Sequence, residues 1–256
     1  MIDIKNKVCV ITGGGKIGKV LALGLHEAGA KVIIGESDIS KICDLKKEFI
    51  EKFIDIEVEN LDISNETSVI NFIVYLKKTF NRVDAWINTA FPKHPDWGKN
   101  NICSRGMFNW NVERHLWGYY DTSSKIANLM MKDQGFGSVI NFGSIYGVNA
   151  PDFSIYEKTS IKMPIVYAMI KGAINMMSKY LASYYGKHGI RFNVISPGGI
   201  FENQDSRFIE NYQKKTVLGR MASEDDIVGL VMFLISDASS YITGQNILID
   251  GGFTIK

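Results

Sequence analysis

The chain has very little cysteine. Its 3 thiols among 256 residues, Cys9, Cys43 and Cys103, are scattered with no C-x-x-C pair, which argues against a disulfide framework or a zinc site. Cys9 falls inside an apolar run and reads as a small packed hydrophobe. Proline is also scarce, 5 residues against 24 glycines. No Pro-rich or low-complexity linker divides the sequence, and no internal repeat does. Neither charge sign dominates: 29 Lys and Arg against 27 Asp and Glu give a formal net charge of +2. With no basic block to concentrate that charge, neither nucleic acid nor a membrane surface is an expected partner. Long apolar runs are missing too. The N-terminal VCVI run is too short for a signal peptide, and the apolar-leaning segment 163–177 is interrupted by Lys171, so no membrane span is expected. A reducing, cytoplasmic setting is the corresponding expectation.

What is present is a regular alternation of strand and helix patterns. The run KVCVIT, Lys7–Thr12, is β-branched and ends in glycine, as a buried parallel strand does. Apolar residues at Ile17, Val20, Leu21, Leu25 and Ala28 then recur at helical spacing, closed by Gly29. Further strands are predicted at Lys31–Ile34, Glu57–Leu61, Ala85–Asn88, Ser138–Phe142, Arg191–Ile195 and Asn246–Ile249. Helices are expected near 38–53, 65–80, 104–132, 165–186 and 224–236. This pattern predicts a Rossmann-like, doubly wound, seven-stranded parallel sheet with helices on both faces, and residues 1–256 as a single domain. Right-handed crossovers place every strand's C-terminal end on one edge, where ligands bind.

Between the first strand and the first helix lies ITGGGKIG, Ile11–Gly18. Its glycines do not fit the G-x-G-x-x-G dinucleotide fingerprint, yet the flanking strand and helix are those of a pyrophosphate turn. Gly13, Gly15, Lys16, Ile17 and Gly18 are therefore candidate cofactor residues. Glu36 follows the second strand, where a carboxylate accepts from ribose hydroxyls and repels a 2′-phosphate, favouring NAD over NADP. Lys16 is the counterweight, since a cation in this turn can pair with either the 2′-phosphate or the pyrophosphate. Asp62, in LDIS, either reads the adenine amino group or caps the next helix.

Tyr167 and Lys171 form Y-A-M-I-K, which puts phenol and ammonium on one helix face. A neighbouring cation is expected to lower the phenol's pKa and make it a proton carrier near neutrality. Ser144 ends the strand SVINFG on the same sheet edge, able to polarise a carbonyl. Pro197 and Gly198 form a turn after RFNVIS suited to the nicotinamide end of a cofactor.

Taken in order, ITGGGKIG, LDIS, INTA, INFGS, YAMIK, NVISPGG and YITGQNILIDGG resemble a short-chain dehydrogenase/reductase along the whole chain. The resemblance implies an NAD(P)-dependent oxidoreductase with Tyr167 as general acid/base, Lys171 on the nicotinamide ribose and Ser144 orienting the substrate carbonyl. It implies that Asn88 and Ala90 line the adenosine pocket, that Asp62 and Ile63 contact adenine, and that Ile200 belongs to the cofactor site. It also implies a homodimer or homotetramer, formed through long helices whose apolar faces a monomer would expose.

Four features depart from the family pattern. The glycine turn is about one residue short. Phe91 stands where N-N-A-G would place glycine. His115 takes the position of the family's catalytic Asn, either as a proton relay or as a buried histidine satisfied by a backbone carbonyl. Ser144 and Tyr167 are farther apart than usual. The extra residues 148–163 and the loop 91–107, with Lys93, His94, Trp97, Lys99, Asn100, Asn101 and Arg105, belong at the substrate end. They suit a polyhydroxylated substrate with a phosphate, unless the loop is simply a solvated surface. Residues 198–222 are expected to form a mobile lid. That stretch and residues 148–163 are most similar to oxidoreductases associated with flagellin modification, whose context is nonulosonic-acid-type sugar biosynthesis. That similarity points to a sugar phosphate or nucleotide sugar as substrate. A non-catalytic nucleotide-binding regulator and an epimerase or lyase using NAD transiently are the alternatives.

Overall fold

The apolar runs that read as strands all join one sheet. The computed structural model describes residues 2–256. Its strands are β1 (Val8–Thr12), β2 (Lys31–Glu36), β3 (Ile56–Asn60), β4 (Ala85–Asn88), β5 (Gly137–Phe142), β6 (Ile190–Pro197) and β7 (Asn246–Ile249). They pair in parallel in the order β3-β2-β1-β4-β5-β6-β7. The order reverses between β1 and β4, whose neighbouring ends are Thr12 and Asn88. That reversal opens a crevice at the carboxyl edge, the usual ligand position in such sheets.

Both faces of the sheet are covered, so β1, β4 and β5 are buried throughout and carry no polar-out alternation. One core layer packs Ile11, Ile34 and Ile87 against α1 (Lys16–Glu27), α2 (Ile39–Glu51) and α9 (Asp225–Ile235). The opposite layer packs Val10, Trp86 and Phe192 against α3 (Glu66–Thr79), the long helical segment 105–134 and α7 (Ile165–Tyr185). No helix among the described residues is long and apolar enough to cross a membrane.

The structure refines three expectations. β2 runs on through Glu36, making that carboxylate a strand residue. The helix expected near 104–132 is continuous but not regular: α4 (Arg105–Asn111), α5 (Trp117–Ile126) and α6 (Lys132–Gln134) are joined by π turns at Val112–Leu116 and Ala127–Met131. The stretch expected to be a lid contains a helix, α8 (Ser206–Lys215), whose Phe208 and Tyr212 are buried against Ile155 and Met221. Its side chains supply an apolar face that a loose flap would leave in water.

Candidate active site

Two glycines close the turn after β1. Gly13 has φ +91°, and a Cβ there would lie 2.9 Å from the Ala90 Cα; a Cβ on Gly18 would lie 1.9 Å from the Gly13 carbonyl oxygen. Both obstacles are backbone and cannot yield. Gly15 is different: it is the α1 N-cap, and nothing lies within 4 Å of the position its Cβ would take. The short turn thus keeps the close packing of strand, turn and helix while leaving space beside the first N–H groups of α1. That space belongs to a groove of about 690 Å³ lined by Gly13, Gly15, Lys16, Ile17 and Gly18 and, farther along, by Glu36, Asp62, Ile63, Ala90 and Ile200.

Glu36 is 7% exposed and heavily engaged. One carboxylate oxygen accepts from the Gly14 N–H at 2.8 Å; the other accepts from the N–H groups of Ser37 and Asp38 at 2.9 and 3.0 Å. The carboxylate therefore ties β2 to the glycine turn while facing the groove. Asp62 accepts from the Ser64 N–H and hydroxyl. The cap of α3 is instead Asn65, which accepts from Ser68. Lys16 lines the groove, but its ammonium is paired with Glu224 and donates to the Phe201 carbonyl at 2.8 Å. Its charge is directed across the groove mouth rather than left free for a phosphate.

Asn88 requires a correction. It is fully buried and does not line the groove. Its Oδ1 accepts from Trp86 Nε1 at 2.9 Å, and its Nδ2 donates to Asn141 Oδ1 at 2.8 Å and to Ser123 Oγ at 3.0 Å. As a β4 residue pointing into the helix layer, it serves a buried polar network. Thr89 and Ala90, the next two residues, reach the groove instead. Nothing in the sequence pattern had marked Thr89.

Beside the groove lies a cleft of about 420 Å³ that brings together Ser144, Tyr167 and Lys171 with Pro197, Gly198 and Ile200. Ser144 follows β5, and Tyr167 and Lys171 lie on the first turns of α7. Burial raises the Tyr167 pKa above its ordinary value, opposed by a hydrogen bond with Ser144. The expected drop from the lysine is absent, because Lys171 has itself been pushed down to about 7 by burial. Its Nζ donates to the Phe142 carbonyl at 2.7 Å. With no carboxylate in contact, the buried ammonium loses hydration that a single carbonyl hydrogen bond restores only in part.

His115 lies on the first π turn, 1% exposed, with its Nε2 unpartnered. The backbone-satisfied reading therefore leaves that nitrogen unexplained. Burial first, and then the Lys171 charge, hold the imidazole pKa well below its usual value. The Tyr119 hydroxyl beside it is also buried and unpartnered. A π turn shifts the helix register locally, and such turns recur at functional sites. The sequence periodicity carries no sign of it.

The two loops expected at the substrate end do meet over the cleft. Phe91, Lys93 and Trp97 come from one; Tyr156, Ile161, Lys162 and Met163 come from the other. Asn101 joins them: its carbonyl accepts from the Ile165 N–H at 2.8 Å and its Oδ1 from the Met163 N–H at 3.0 Å. His94 instead packs on Trp110, Lys99 pairs with Asp96, Asn100 is exposed, and Arg105 opens α4. Tyrosines that no sequence motif marks also line the cleft: Tyr146 and Tyr156, whose hydroxyls are 2.7 Å apart, and Tyr212, whose hydroxyl accepts from the Gly199 N–H.

Comparison with known proteins agrees with this geometry. A family model described as enoyl-(acyl carrier protein) reductase matches residues 14–254. The post-translational flagellin modification protein A of Campylobacter coli is 31% identical over 98% of this chain and 99% of its own length. The L-rhamnose 1-dehydrogenase (NADP(+)) of Thermoplasma acidophilum is 28% identical over 100% of this chain and 99% of its own. A short-chain dehydrogenase from Leptospira borgpetersenii, solved with bound NAD+, is 38% identical, with TM-score 0.81 over 98% of this chain and 94% of that one. With the sheet order, the glycine turn and the Ser144, Tyr167 and Lys171 cleft, these matches establish that the chain belongs to the short-chain dehydrogenase/reductase family.

Proposed function

We propose that this protein is an NAD-dependent oxidoreductase that acts on a secondary alcohol or ketone of a sugar phosphate or nucleotide sugar. The observation that carries the reading is the meeting of Ser144, Tyr167 and Lys171 in one cleft adjoining the glycine-turn groove. The residues present fit a dinucleotide: open space faces Gly15, the first turn of α1 offers backbone N–H groups, and carboxylates lie at the far end of the groove. Glu36 and Asp38 at that end disfavour a 2′-phosphate, while the opposing cation Lys16 is held by Glu224. The NAD+ bound to the Leptospira protein supports the same choice.

The nicotinamide cofactor, when bound, supplies or takes the hydride. Tyr167 exchanges the proton at the substrate oxygen, and Ser144 donates a hydrogen bond to that oxygen while holding the phenol in place. Burial keeps the phenol protonated near neutrality, so Tyr167 is set to give its proton to a carbonyl. Lys171 holds the nicotinamide ribose and stands behind the phenol. His115, kept neutral, has one ring nitrogen to donate and one to accept, which suits a relay between this buried pair and water.

A polyhydroxylated, anionic substrate suits the cleft. Hydroxyls of Tyr146, Tyr156 and Tyr212 and the indole of Trp97 line it, with Lys93 and Lys162 at its exposed rim. The L-rhamnose 1-dehydrogenase is a relative that acts on a sugar. The outward faces of α7 and of the 105–134 segment expose Met169, Met176, Tyr180 and Tyr184, and Trp117, Tyr120 and Leu129. These apolar faces support a homodimer or homotetramer, working in a reducing cytoplasm with three unpaired thiols. Cofactor reduction or oxidation should be screened against sugar phosphates, nucleotide sugars and simple secondary alcohols. Turnover with phosphorylated or nucleotide sugars is expected, and activity confined to apolar alcohols overturns the substrate reading.

A further inference from the structure

Phe91 stands between the groove and the catalytic cleft. Its ring lines both the groove and the catalytic cleft. The ring centroid lies 5.5 Å from that of Tyr167, 5.1 Å from His115 and 5.2 Å from Trp97. Two ammonium groups approach it, Lys93 Nζ at 5.0 Å and Lys171 Nζ at 5.7 Å from the centroid. Lys171 has three N–H donors. One reaches the Phe142 carbonyl, and the rings of Phe91, Tyr119 and Tyr167 surround the ammonium at 5.6–5.7 Å. Lys171 lines the cleft but not the groove, whereas Phe91 lines both, so the ring lies on the side from which a hydroxyl would arrive from the groove.

The backbone just before the ring is packed against the glycine turn. Ala90 is held against Gly13, and its N–H lies 3.4 Å from Thr12 Oγ1, so Phe91 is anchored at the end of β4. Its side chain is only partly buried and belongs to neither main core layer. Rotation of the side chain is therefore the motion left open. We propose that Phe91 is a displaceable cap on Lys171: its ring covers the ammonium in the free protein and turns aside when the cofactor's ribose hydroxyls take that place. Turned aside, it remains with Trp97 as a wall of the substrate cleft. Phe91 is thus a positioning residue that decides when the catalytic lysine is accessible, and the inference rests on the reading of Lys171 as the ribose anchor.

The consequence is quantitative. A site that binds only when the cap is open has an apparent Kd equal to the intrinsic value divided by the open fraction. If about one molecule in ten is open, removing the ring tightens binding about tenfold. Calorimetric titration of wild type, Phe91→Ala and Phe91→Leu with NAD and with AMP tests this. AMP carries the adenosine half alone and never reaches Lys171. Phe91→Ala should bind NAD at least fivefold more tightly, with AMP affinity unchanged; Phe91→Leu should fall between it and wild type, and answers alone if the alanine variant does not fold. The tryptophan emission change produced by NAD in the wild type should be diminished in Trp97→Phe. Equal or weaker NAD binding by the Phe91 variants overturns the cap while leaving the oxidoreductase reading intact. AMP binding without any NAD binding in wild type and variants alike overturns the ribose-anchor reading and the cap together.

Discussion

The ammonium of Lys171 lies 2.7 Å from the main-chain carbonyl of Phe142 and touches no carboxylate. A charge so placed is destabilising, and burial pushes its pKa down to about 7. The unfolded chain keeps the ordinary lysine value near 10.4. Between that value and about 7 the unfolded state binds more protons, so stability rises with pH through this window. The cost is fully present below pH 7 and absent above about 10.4. Lys171→Met should therefore raise Tm at pH 6–7 by several degrees, with a gain bounded at about 5 kcal/mol that shrinks toward pH 10. Thermal melts across this range test it; a pH-independent difference contradicts the assignment.

Tyr167 and Ser144 should separate by kind of defect. Tyr167→Phe removes the proton carrier and should abolish measurable turnover, a loss of about 10²–10⁴-fold or more. Ser144→Ala should retain a small residual rate. Neither substitution touches the adenosine end, so AMP affinity should stay at the wild-type value in both. Steady-state rates and an AMP titration give the answer.

His115 is predicted to act through proton transfer. His115→Ala should lower kcat at least tenfold, while His115→Asn, which retains a donor and an acceptor, should recover much of it. Because burial holds the imidazole neutral well below its usual pKa, no activity limb near pH 6.5 should belong to it. Wild-type kcat in the alanine variant would sink the relay.

Glu36 has two jobs that two substitutions can divide. Glu36→Ala leaves the N–H groups of Gly14, Ser37 and Asp38 without their acceptor and should cost about 1–3 kcal/mol of stability. Glu36→Gln keeps an acceptor and removes the charge, so it should shift the NADP-to-NAD preference upward by about tenfold at a smaller loss of stability. Parallel melts and cofactor titrations measure both. An unchanged cofactor ratio in the glutamine variant would show that the carboxylate does not select NAD.

The exposed face of α7 predicts assembly. Met176 and Tyr180 are 66% and 68% exposed on a helix that otherwise packs against the sheet. Replacing both with glutamate should convert an oligomer into monomers in light scattering, with the monomer's helical content retained. A wild-type chain that is already monomeric at micromolar concentration removes this expectation.

Much of this architecture was legible in the residues because local rules suffice for it. Seven runs of period-two or fully apolar character were separated by helical periodicity, and burial on both faces of a parallel sheet leaves no ambiguity about which runs are strands. The turn after Thr12 could be read through its missing residue because a strand and a helix framed it, and the backbone contacts of Gly13 and Gly18 show why those two glycines remain. The spacing of Tyr167 and Lys171 alone puts them on one helix face. Tertiary structure alone decided what surrounds them. Asn88 was assigned to the groove, but side-chain direction at the end of β4 sends it into the buried network with Trp86 and Asn141. Lys16 stood near a phosphate in sequence, yet Glu224, brought there by α9, takes its charge. The phenol was expected to lose pKa to its neighbouring lysine; burial of both groups raised one and lowered the other. Phe91 was a ring in place of a glycine, and only the convergence of β4, the π turn and α7 put that ring against Lys171. Covalent order determines period, turn and helix-face neighbours, because those forces act within a few residues. Charge partners, dehydration and side-chain obstruction depend on groups distant in sequence, so they exist only once the chain has folded.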